Sequence, residues 1–327
     1  MRGPVLVTGG AGYIGSHVVR QLAEADYDVV VYDNLSTGRR EAVLGGRLVV
    51  GDIADDRRLT ALFAETGFAA VLHFAASIVV PESVARPLDY YANNTANALR
   101  LLHCCRLFGV KRFVFSSTAA VYGEPAGGIA SETTPPAPIN PYGRAKLMSE
   151  WMLADHAAAS DFRYVALRYF NAAGADLEAR IGQSFPGATH LIKVACEAVV
   201  GRRPGITIHG TDFDTPDGTG VRDYIHVEDL ARAHLDALAY LEAGGEAQVL
   251  NCGYGRGYSV REVLERVQAV AGKSIRIAEG PRRPGDPARL VADSGRIREV
   301  LGWTPRFDDL DLIARTALAW ERTLGPN

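Results

Sequence analysis

The sequence predicts an α/β fold: a Rossmann-type, doubly wound parallel sheet with a smaller, discontinuous α+β lobe. In the first half of the 327-residue chain, short apolar runs alternate with helical stretches, as in sheets that are covered on both faces. A glycine-rich turn follows the first apolar run, and the alternation loosens after about residue 171. A regular first half and an irregular second half together indicate one large sheet and a lobe built beside it.

The elements of the first half are each bounded by turn residues. The predicted strands are Val5–Thr8, Val29–Asp33, Leu48–Gly51, Ala70–Phe74, Arg112–Ser116 and Tyr164–Arg168. The predicted helices between them include Gly15–Ala25, Leu88–Leu107 and Pro141–Ala157. In such sheets the ligands bind at the carboxyl ends of the strands.

The second half has fewer and weaker elements. Helices are expected near His190–Val200 and Glu228–Leu241, with short strands at Ile206–Ile208, Ala247–Asn251 and Ile275–Ala278. We therefore expect a first domain over residues 1–171, to which later segments at about 223–255 return. The second domain is expected over residues 172–327.

Composition narrows the class of protein. The chain is 47% hydrophobic and 22% charged with a net charge of −3, which is ordinary for a soluble enzyme. No basic block indicates a nucleic-acid or membrane surface, and no apolar run reaches the length of a membrane span. The first strand begins at once, so no signal peptide is expected. Four cysteines without disulfide or metal spacing predict buried, reduced thiols, no metal site and a cytoplasmic protein.

The glycine-rich turn reads Gly10-x-Gly12-x-x-Gly15, and equally Gly9-x-x-Gly12-x-x-Gly15. It follows a predicted strand and opens a helix, the context in which such glycines let a pyrophosphate approach the helix N-terminus. The alternative is a plain tight turn between a strand and a helix.

Asp33 ends the second strand, 18 residues after Gly15. A carboxylate there accepts hydrogen bonds from the adenine ribose and repels a 2′-phosphate, which favours NAD over NADP. Arg39 and Arg40 weaken this inference slightly if they are more than solvated loop charges. Asp52 and Ile53 follow the third strand and would flank the adenine, unless Asp52 only caps the next turn.

A tyrosine and a lysine stand four residues apart in the segment Asn140–Lys146. Asn140 can cap a helix whose first position is Pro141, so Tyr142 and Lys146 would share one helix face. The helix dipole and the ammonium both favour the tyrosinate, which predicts a lowered pKa and a base that works near neutral pH.

With these motifs, the chain resembles the sugar-nucleotide epimerase branch of the extended short-chain dehydrogenase/reductase family, and its UDP-glucose 4-epimerases in particular. The resemblance covers nearly the whole chain. Its strongest segments are Thr8–Gly15, His73–Ala76, Phe115–Gly123, Pro141–Lys146, Arg168–Asn171 and Asp217–Val227. The last segment is the most specific, whereas the Tyr-x-x-x-Lys pair alone marks only the superfamily.

The resemblance implies a role for each matching residue. It makes Thr118, Tyr142 and Lys146 the catalytic residues. The implied NAD contacts are Gly9, Gly12, Tyr13, Ile14, Gly15, Asp33, Asn34, Asp52, Ile53, Phe74, Ala75, Ala76, Asn93, Ser116, Tyr142, Lys146, Tyr169 and Phe170. The implied contacts of a UDP-sugar are Thr118, Tyr142, Asn171, His190, Leu191, Thr207, Ile208, His209, Arg222, Arg283, Asp286 and Leu290.

Three positions depart from the family pattern. Ile78 stands where some epimerases have a lysine near the cofactor, and His209 replaces a common aromatic beside the uracil. Leu290 occupies the place that limits room for a substituent on C2 of the sugar. Leucine there is intermediate between residues that exclude and residues that admit N-acetylated sugars, unless it points into the core.

The implied activity is inversion of C4 of a UDP-sugar, by transient hydride transfer to bound NAD through a 4-keto intermediate. UDP-glucose and UDP-galactose are the expected pair, with the N-acetyl pair or pentoses as alternatives. A 4,6-dehydratase would need an acid and a base where this chain has Ala119 and Ala120. A net reductase and a non-catalytic NAD-binding scaffold are further alternatives. The resemblance also implies a homodimer packed through the helices Leu88–Leu107 and Pro141–Ala157, the first of which carries Tyr90, Tyr91, Leu99 and Leu102.

Overall fold

The fold was obtained as a computed structural model, which describes residues 3–283 and 285–325. Its strands are β1 Val5–Thr8, β2 Val29–Asp33, β3 Arg47–Val50, β4 Ala70–His73, β5 Arg112–Ser116, β6 Ile129–Ala130, β7 Arg163–Tyr169, β8 Asn171–Ala173, β9 Ile206–His209, β10 Val221–His226, β11 Gln248–Cys252, β12 Gly257–Ser259, β13 Ile277–Gly280 and β14 Arg289–Ala292. Its helices are α1 Tyr13–Glu24, α2 Asp56–Thr66, α3 Val80–Ala85, α4 Pro87–Tyr90, α5 Asn97–Leu107, α6 Pro141–Ala158, α7 Leu191–Val199, α8 Val227–Glu242, α9 Val260–Ala271, α10 Gly295–Leu301 and α11 Leu310–Thr323.

Seven strands form one parallel sheet in the order β11-β7-β5-β4-β1-β2-β3. The order reverses between β1 and β4, which creates the crevice where α/β sheets bind their ligands. The predicted Rossmann-type fold is therefore confirmed.

Both faces of this sheet are buried. In β1, Val5 and Val7 pack into one apolar cluster, whereas Leu6 packs into the cluster on the opposite face. This follows from the two-residue period of a strand, and it explains why the run is apolar at every position. Helices α1 and α8 pack against each other on the first face, and α2 and α5 on the second.

The second half of the chain supplies the other strands except β6, which comes from the first half. Strands β12, β10, β14 and β6 form a second sheet, β8 adds to β10, and β9 pairs with β13. Strand β11 returns to the edge of the large sheet beside β7. The division into domains at residue 171 stays a prediction, and its outer ends at residues 1 and 327 lie outside the described residues.

The predicted helix Leu88–Leu107 is interrupted. Between α4 and α5 the chain makes a π-helical turn over Tyr91–Ala96. There Asn94 accepts a hydrogen bond from the Ser77 backbone at 2.8 Å and donates one to the Ser77 carbonyl at 2.9 Å. These two hydrogen bonds tie the segment that carries Asn93 to the loop after β4. Such π-turns occur often at functional sites.

The sequence predicts no membrane span and four buried, reduced cysteines. Within the described residues, no helix has both the length and the apolar character needed to cross a membrane. All four cysteines are buried free thiols, as predicted.

Candidate active site

A cleft of about 900 Å³ runs along the carboxyl edge of the large sheet and continues into the second half of the chain. Its lining includes every residue that was predicted from the sequence to contact a cofactor or substrate, except Lys146. The structure therefore brings together residues that are up to 281 positions apart in the chain, from Gly9 to Leu290.

The glycine-rich turn lies at the base of this cleft. Gly9 has a φ of +72°, and a Cβ there would lie 2.5 Å from the backbone nitrogen of Ala75. A Cβ on Gly15 would lie 2.2 Å from the Gly9 carbonyl oxygen. Both positions thus require glycine. Gly12 caps α1 without a side-chain hydrogen bond, so the N–H groups of the first helical turn face the cleft as donors for an anion.

Asp33 lies at the end of β2 beside this turn. Its carboxylate accepts hydrogen bonds from the backbone nitrogens of Ala11 at 3.0 Å and Leu35 at 2.8 Å. Burial raises the pKa of this carboxyl, and the two backbone donors oppose the rise. Each oxygen can accept a further bond, so Asp33 can still receive the hydroxyls of a ribose.

Asp52 fits both of its sequence interpretations. It lines the cleft, and its carboxylate also accepts hydrogen bonds from the Ala54 backbone and the Asn34 amide, each at 2.8 Å. Arg39 is about half exposed and pairs with Glu41 at 3.7 Å, as a solvated loop charge does.

Helix α6 presents the tyrosine and the lysine. Asn140 caps it by accepting a hydrogen bond from the Gly143 backbone at 2.9 Å, and Pro141 occupies the first turn, as predicted. Tyr142 and Lys146 are 7% and 3% exposed. Thr118 lies two residues beyond the end of β5, where its hydroxyl accepts a bond from the Ala120 backbone at 3.1 Å. The hydroxyl proton of Thr118 is therefore free to be donated towards Tyr142 or a ligand.

The predicted lowering of the Tyr142 pKa is wrong for this structure. Burial raises the pKa of this phenol well above its usual value, with the Tyr169 phenol adding to the rise and the Thr118 hydroxyl opposing it. The Lys146 ammonium instead donates to the Ser116 carbonyl oxygen at 2.7 Å. Burial lowers the pKa of Lys146 to about 7, against the opposing charge of Glu150. A lysine that is only partly charged near neutrality supports a tyrosinate less than the sequence spacing indicates.

At the far end of the cleft the polar groups are arginines and carboxylates from the second half of the chain. Arg222 of β10 forms an ion pair with Asp286 at 2.5 Å. Arg283 and His209 also line this end, and burial, followed by the charge of Arg283, lowers the pKa of His209. This end of the cleft can therefore hold a diphosphate.

The departures from the family pattern all face the cleft. Ile78 and His209 line it, as does Leu290, which is 8% exposed. Leu290 also packs in a small apolar cluster with Phe170 and Tyr122, so it is both part of the core and part of the wall.

Several residues that line the cleft were not predicted from the sequence. They are aromatic or polar side chains of the loops and strands around the far end: Gln183, Phe185, Phe213 and Tyr224. The available signals were Phe185 and Phe213 in the glycine-punctuated segments 182–187 and 210–220, and the position of Tyr224 within the Asp217–Val227 segment. Within the described ranges, no three His, Cys, Asp or Glu side chains form a group that could hold a metal ion.

A family model matches most of the chain. The model of the NAD dependent epimerase/dehydratase family matches residues 5–253. The chain belongs to this family.

Within the NAD-dependent epimerase/dehydratase family, the chain is 57% identical over 321 residues to a UDP-glucose 4-epimerase of Azospirillum brasilense, covering 98% of this chain and 92% of the relative. The structure is similar to that of a UDP-glucose 4-epimerase from Brucella ovis in complex with NAD, with a TM-score of 0.94 and 48% identity over 97% and 98% of the two chains. A UDP-Glc/GlcNAc 4-epimerase from Campylobacter jejuni matches with a TM-score of 0.86 and 47% identity over 98% and 100%. The resemblance read from the motifs is confirmed.

Proposed function

We propose that this protein is an NAD-dependent UDP-sugar 4-epimerase, and that UDP-glucose and UDP-galactose are its main substrate pair. The observation that carries the proposal is the convergence of Thr118, Tyr142 and the glycine-rich turn on one cleft, with Lys146 directly behind its wall. Full-length similarity to UDP-glucose 4-epimerases supports the choice of substrate.

The residues present fit NAD. The open N-terminus of α1 would receive the pyrophosphate, and the free acceptor capacity of Asp33 would receive the adenine ribose. A carboxylate at that place disfavours the 2′-phosphate of NADP. NAD held there would supply reversible hydride transfer at C4 of the sugar.

The protein's own part in the reaction is proton transfer and orientation. Tyr142 would take the proton of the C4 hydroxyl during oxidation and return it during reduction, with Thr118 bridging the two oxygens. The raised pKa of Tyr142 suits the second half of the cycle, in which the phenol is the acid. Arg222 and Arg283 would hold the diphosphate, which leaves the sugar free to turn between the two half-reactions.

The residues after Thr118 argue against a dehydratase. Ala119 and Ala120 begin the short helical turn that follows β5, and neither carries a group that can remove or donate a proton. The complete Thr118, Tyr142 and Lys146 set likewise argues against a scaffold that only binds NAD.

A cytoplasmic homodimer completes the proposal. The face formed by α3, α4, α5 and α6 exposes large apolar side chains, among them Leu88 at 78% and Trp151 at 57%. Of the four residues that the sequence predicted for this contact, Tyr90 and Leu102 are buried inside the protomer, Tyr91 is partly buried and Leu99 is 42% exposed. The apolar surface available to a second copy therefore centres on Leu88, Leu99, Met148 and Trp151.

The decisive experiment offers the purified protein UDP-glucose, UDP-galactose, UDP-N-acetylglucosamine and UDP-xylose, each without and with added NAD, and separates the products. We expect interconversion of the first two. Net accumulation of a 4-keto-6-deoxy sugar would favour a dehydratase, and no conversion of any sugar with NAD present would contradict the proposed function.

A further inference from the structure

Behind the site, Glu150 occupies the helix face of Tyr142 and Lys146, one turn beyond the lysine on α6. It is 4% exposed. A buried carboxylate is unfavourable unless charges and donors compensate it, so its partners indicate what holds it there.

Those partners come from the two strand ends that carry the site. The Arg168 guanidinium of β7 donates to both Glu150 oxygens, from Nε at 3.0 and 3.2 Å and from Nη2 at 2.5 Å. The Ser117 hydroxyl, next in sequence to Thr118, donates to Oε1. Glu150 therefore links α6 to the residue before Thr118 and to the residue before Tyr169.

The far side of this network is also tied down. Arg168 donates to the Tyr122 hydroxyl at 3.0 Å, and that hydroxyl donates to the Asn251 side chain at 2.7 Å. Because every member has a partner, the network has one arrangement rather than several.

Glu150 also acts on Lys146 through its charge. The titratable and charged side chains around this face are those of His73, Tyr122, Tyr142, Glu150, Tyr164, Arg168 and Tyr169. His73 is neutral near pH 7, since burial and then the charge of Lys146 lower its pKa to about 3. Glu150 is the neighbour whose charge raises the pKa of Lys146 against the effect of burial.

We propose that Glu150 is a positioning residue of the reaction, whose carboxylate stabilises the Lys146 ammonium and holds the backbone that carries Thr118. This role rests on the proposed function for its catalytic consequence. The electrostatic part concerns Lys146 alone and does not depend on which substrate is used.

The chain has four lysines, at positions 111, 146, 193 and 273, so NMR of ¹³C-labelled lysine can follow each titration, with Lys146→Met assigning the signal. We expect a Lys146 midpoint near 7 in the parent protein. In Glu150→Gln it should fall by about one pH unit or more. Arg168→Gln, which leaves the carboxylate without its counter-charge, should move it upwards. Asp155→Asn removes an exposed charge from the same helix and should leave it unchanged.

The alkaline limb of the plot of kcat against pH should move down in Glu150→Gln and up in Arg168→Gln, as the Lys146 midpoint does. Each pH unit by which the limb moves down should lower kcat about tenfold at a pH above the limb. Ser117→Ala, which removes no charge, should lower kcat without moving the limb or KM. An unchanged Lys146 midpoint in both Glu150→Gln and Arg168→Gln overturns the electrostatic role, and either variant suffices if the other does not fold. An unchanged kcat in Ser117→Ala overturns the positioning role. If the parent turns over no UDP-sugar, the proposed function fails, while the NMR titration still decides the effect on Lys146.

Discussion

The Lys146 ammonium is 2.7 Å from the carbonyl oxygen of Ser116, in a position where almost none of its side chain meets water. Burial lowers the pKa of Lys146 from 10.5 to about 7 in the folded protein. Lys146 is therefore held in this position at the expense of stability.

This burial predicts a pH dependence of the free energy of unfolding. Between about pH 7 and about pH 10.5 the unfolded chain binds more protons at this lysine than the folded one, so its contribution to stability rises with pH. Below about pH 7 the full penalty of burying the charge is present. Lys146→Met removes the penalty, so it should stabilise the protein most below pH 7 and progressively less above it. Urea unfolding at about pH 6 and about pH 9.5 measures the difference. A gain in stability that is equal at both pH values would contradict the buried-charge account.

Tyr142→Phe tests the proposed acid and base. The variant keeps the ring and its packing and deletes the proton-carrying oxygen, so turnover should fall by ~10²–10⁴-fold while the UDP-sugar still binds. Tyr240→Phe is the matched control, because the Tyr240 hydroxyl contacts only Gln248, at 3.4 Å, among the hydrogen bonds of the described residues. Activity within about threefold of the parent in Tyr142→Phe would assign the base to another group.

Asp33 sets the expected cofactor preference. Its two oxygens already accept backbone bonds from Ala11 and Leu35, which hold the carboxylate against the place where an adenine ribose would lie. NAD should bind more tightly than NADP, and Asp33→Asn should narrow that preference by removing the negative charge. Arg39→Ala should leave it unchanged, since Arg39 pairs with Glu41 away from the cleft. Calorimetric titration of the parent and both variants with NAD and NADP measures this preference. Equal or tighter binding of NADP to the parent would contradict the predicted preference for NAD.

The sequence predicted the parts of the fold that repeat a local pattern. Strands β1, β2 and β5 have the predicted bounds, because each is a continuous apolar run ended by polar or glycine residues. The glycine turn and the cap of α6 were equally readable, since backbone conformation and capping chemistry are local properties.

Properties that depend on the surroundings were not readable. Spacing places Tyr142 beside Lys146, but only the packed structure shows how fully both are buried, and burial reverses the expected shift of the Tyr142 pKa. The π-turn over Tyr91–Ala96 contains Asn94, which accepts a hydrogen bond from the Ser77 backbone 17 residues away, and such a long-range contact is not visible in a local pattern. Glu150 could have been noticed, because it follows Lys146 by four residues on one helix face.

Trp151 tests the proposed dimer. It lies on α6 with 57% of its surface exposed, near Met148 on the same helix. If a second copy covers this face, Trp151→Glu would bury a charge at the interface and should yield monomers at micromolar concentration, as measured by light scattering. Leu177→Glu changes a similarly exposed apolar residue at 54% outside this face and should leave the mass unchanged. A monomeric parent would count against the dimer.

Leu290 tests the range of sugars. It is the register partner of Arg222 across strands β14 and β10, and both line the cleft, so Leu290 lies next to the group that would hold the diphosphate. An N-acetyl group on C2 needs more room than a hydroxyl, and overpacking a close-fitting site costs typically 1–3 kcal/mol. UDP-N-acetylglucosamine should therefore be turned over less efficiently than UDP-glucose. Leu290→Ala should raise the ratio of the activity on UDP-N-acetylglucosamine to the activity on UDP-glucose. Leu290→Tyr should abolish the activity on UDP-N-acetylglucosamine alone.

The packing of Leu290 against Phe170 and Tyr122 supplies the rival outcome. If the side chain acts only in the core, Leu290→Ala should lower the free energy of unfolding by about 2–5 kcal/mol without changing that ratio. Leu290→Met, which conserves volume, is the control and should preserve both stability and ratio within small limits. Because kcat/KM for the two sugars is measured on the same preparation of each variant, a general loss of folded protein cancels in the ratio. A ratio that stays constant from alanine through leucine to tyrosine would remove Leu290 from the determinants of substrate choice.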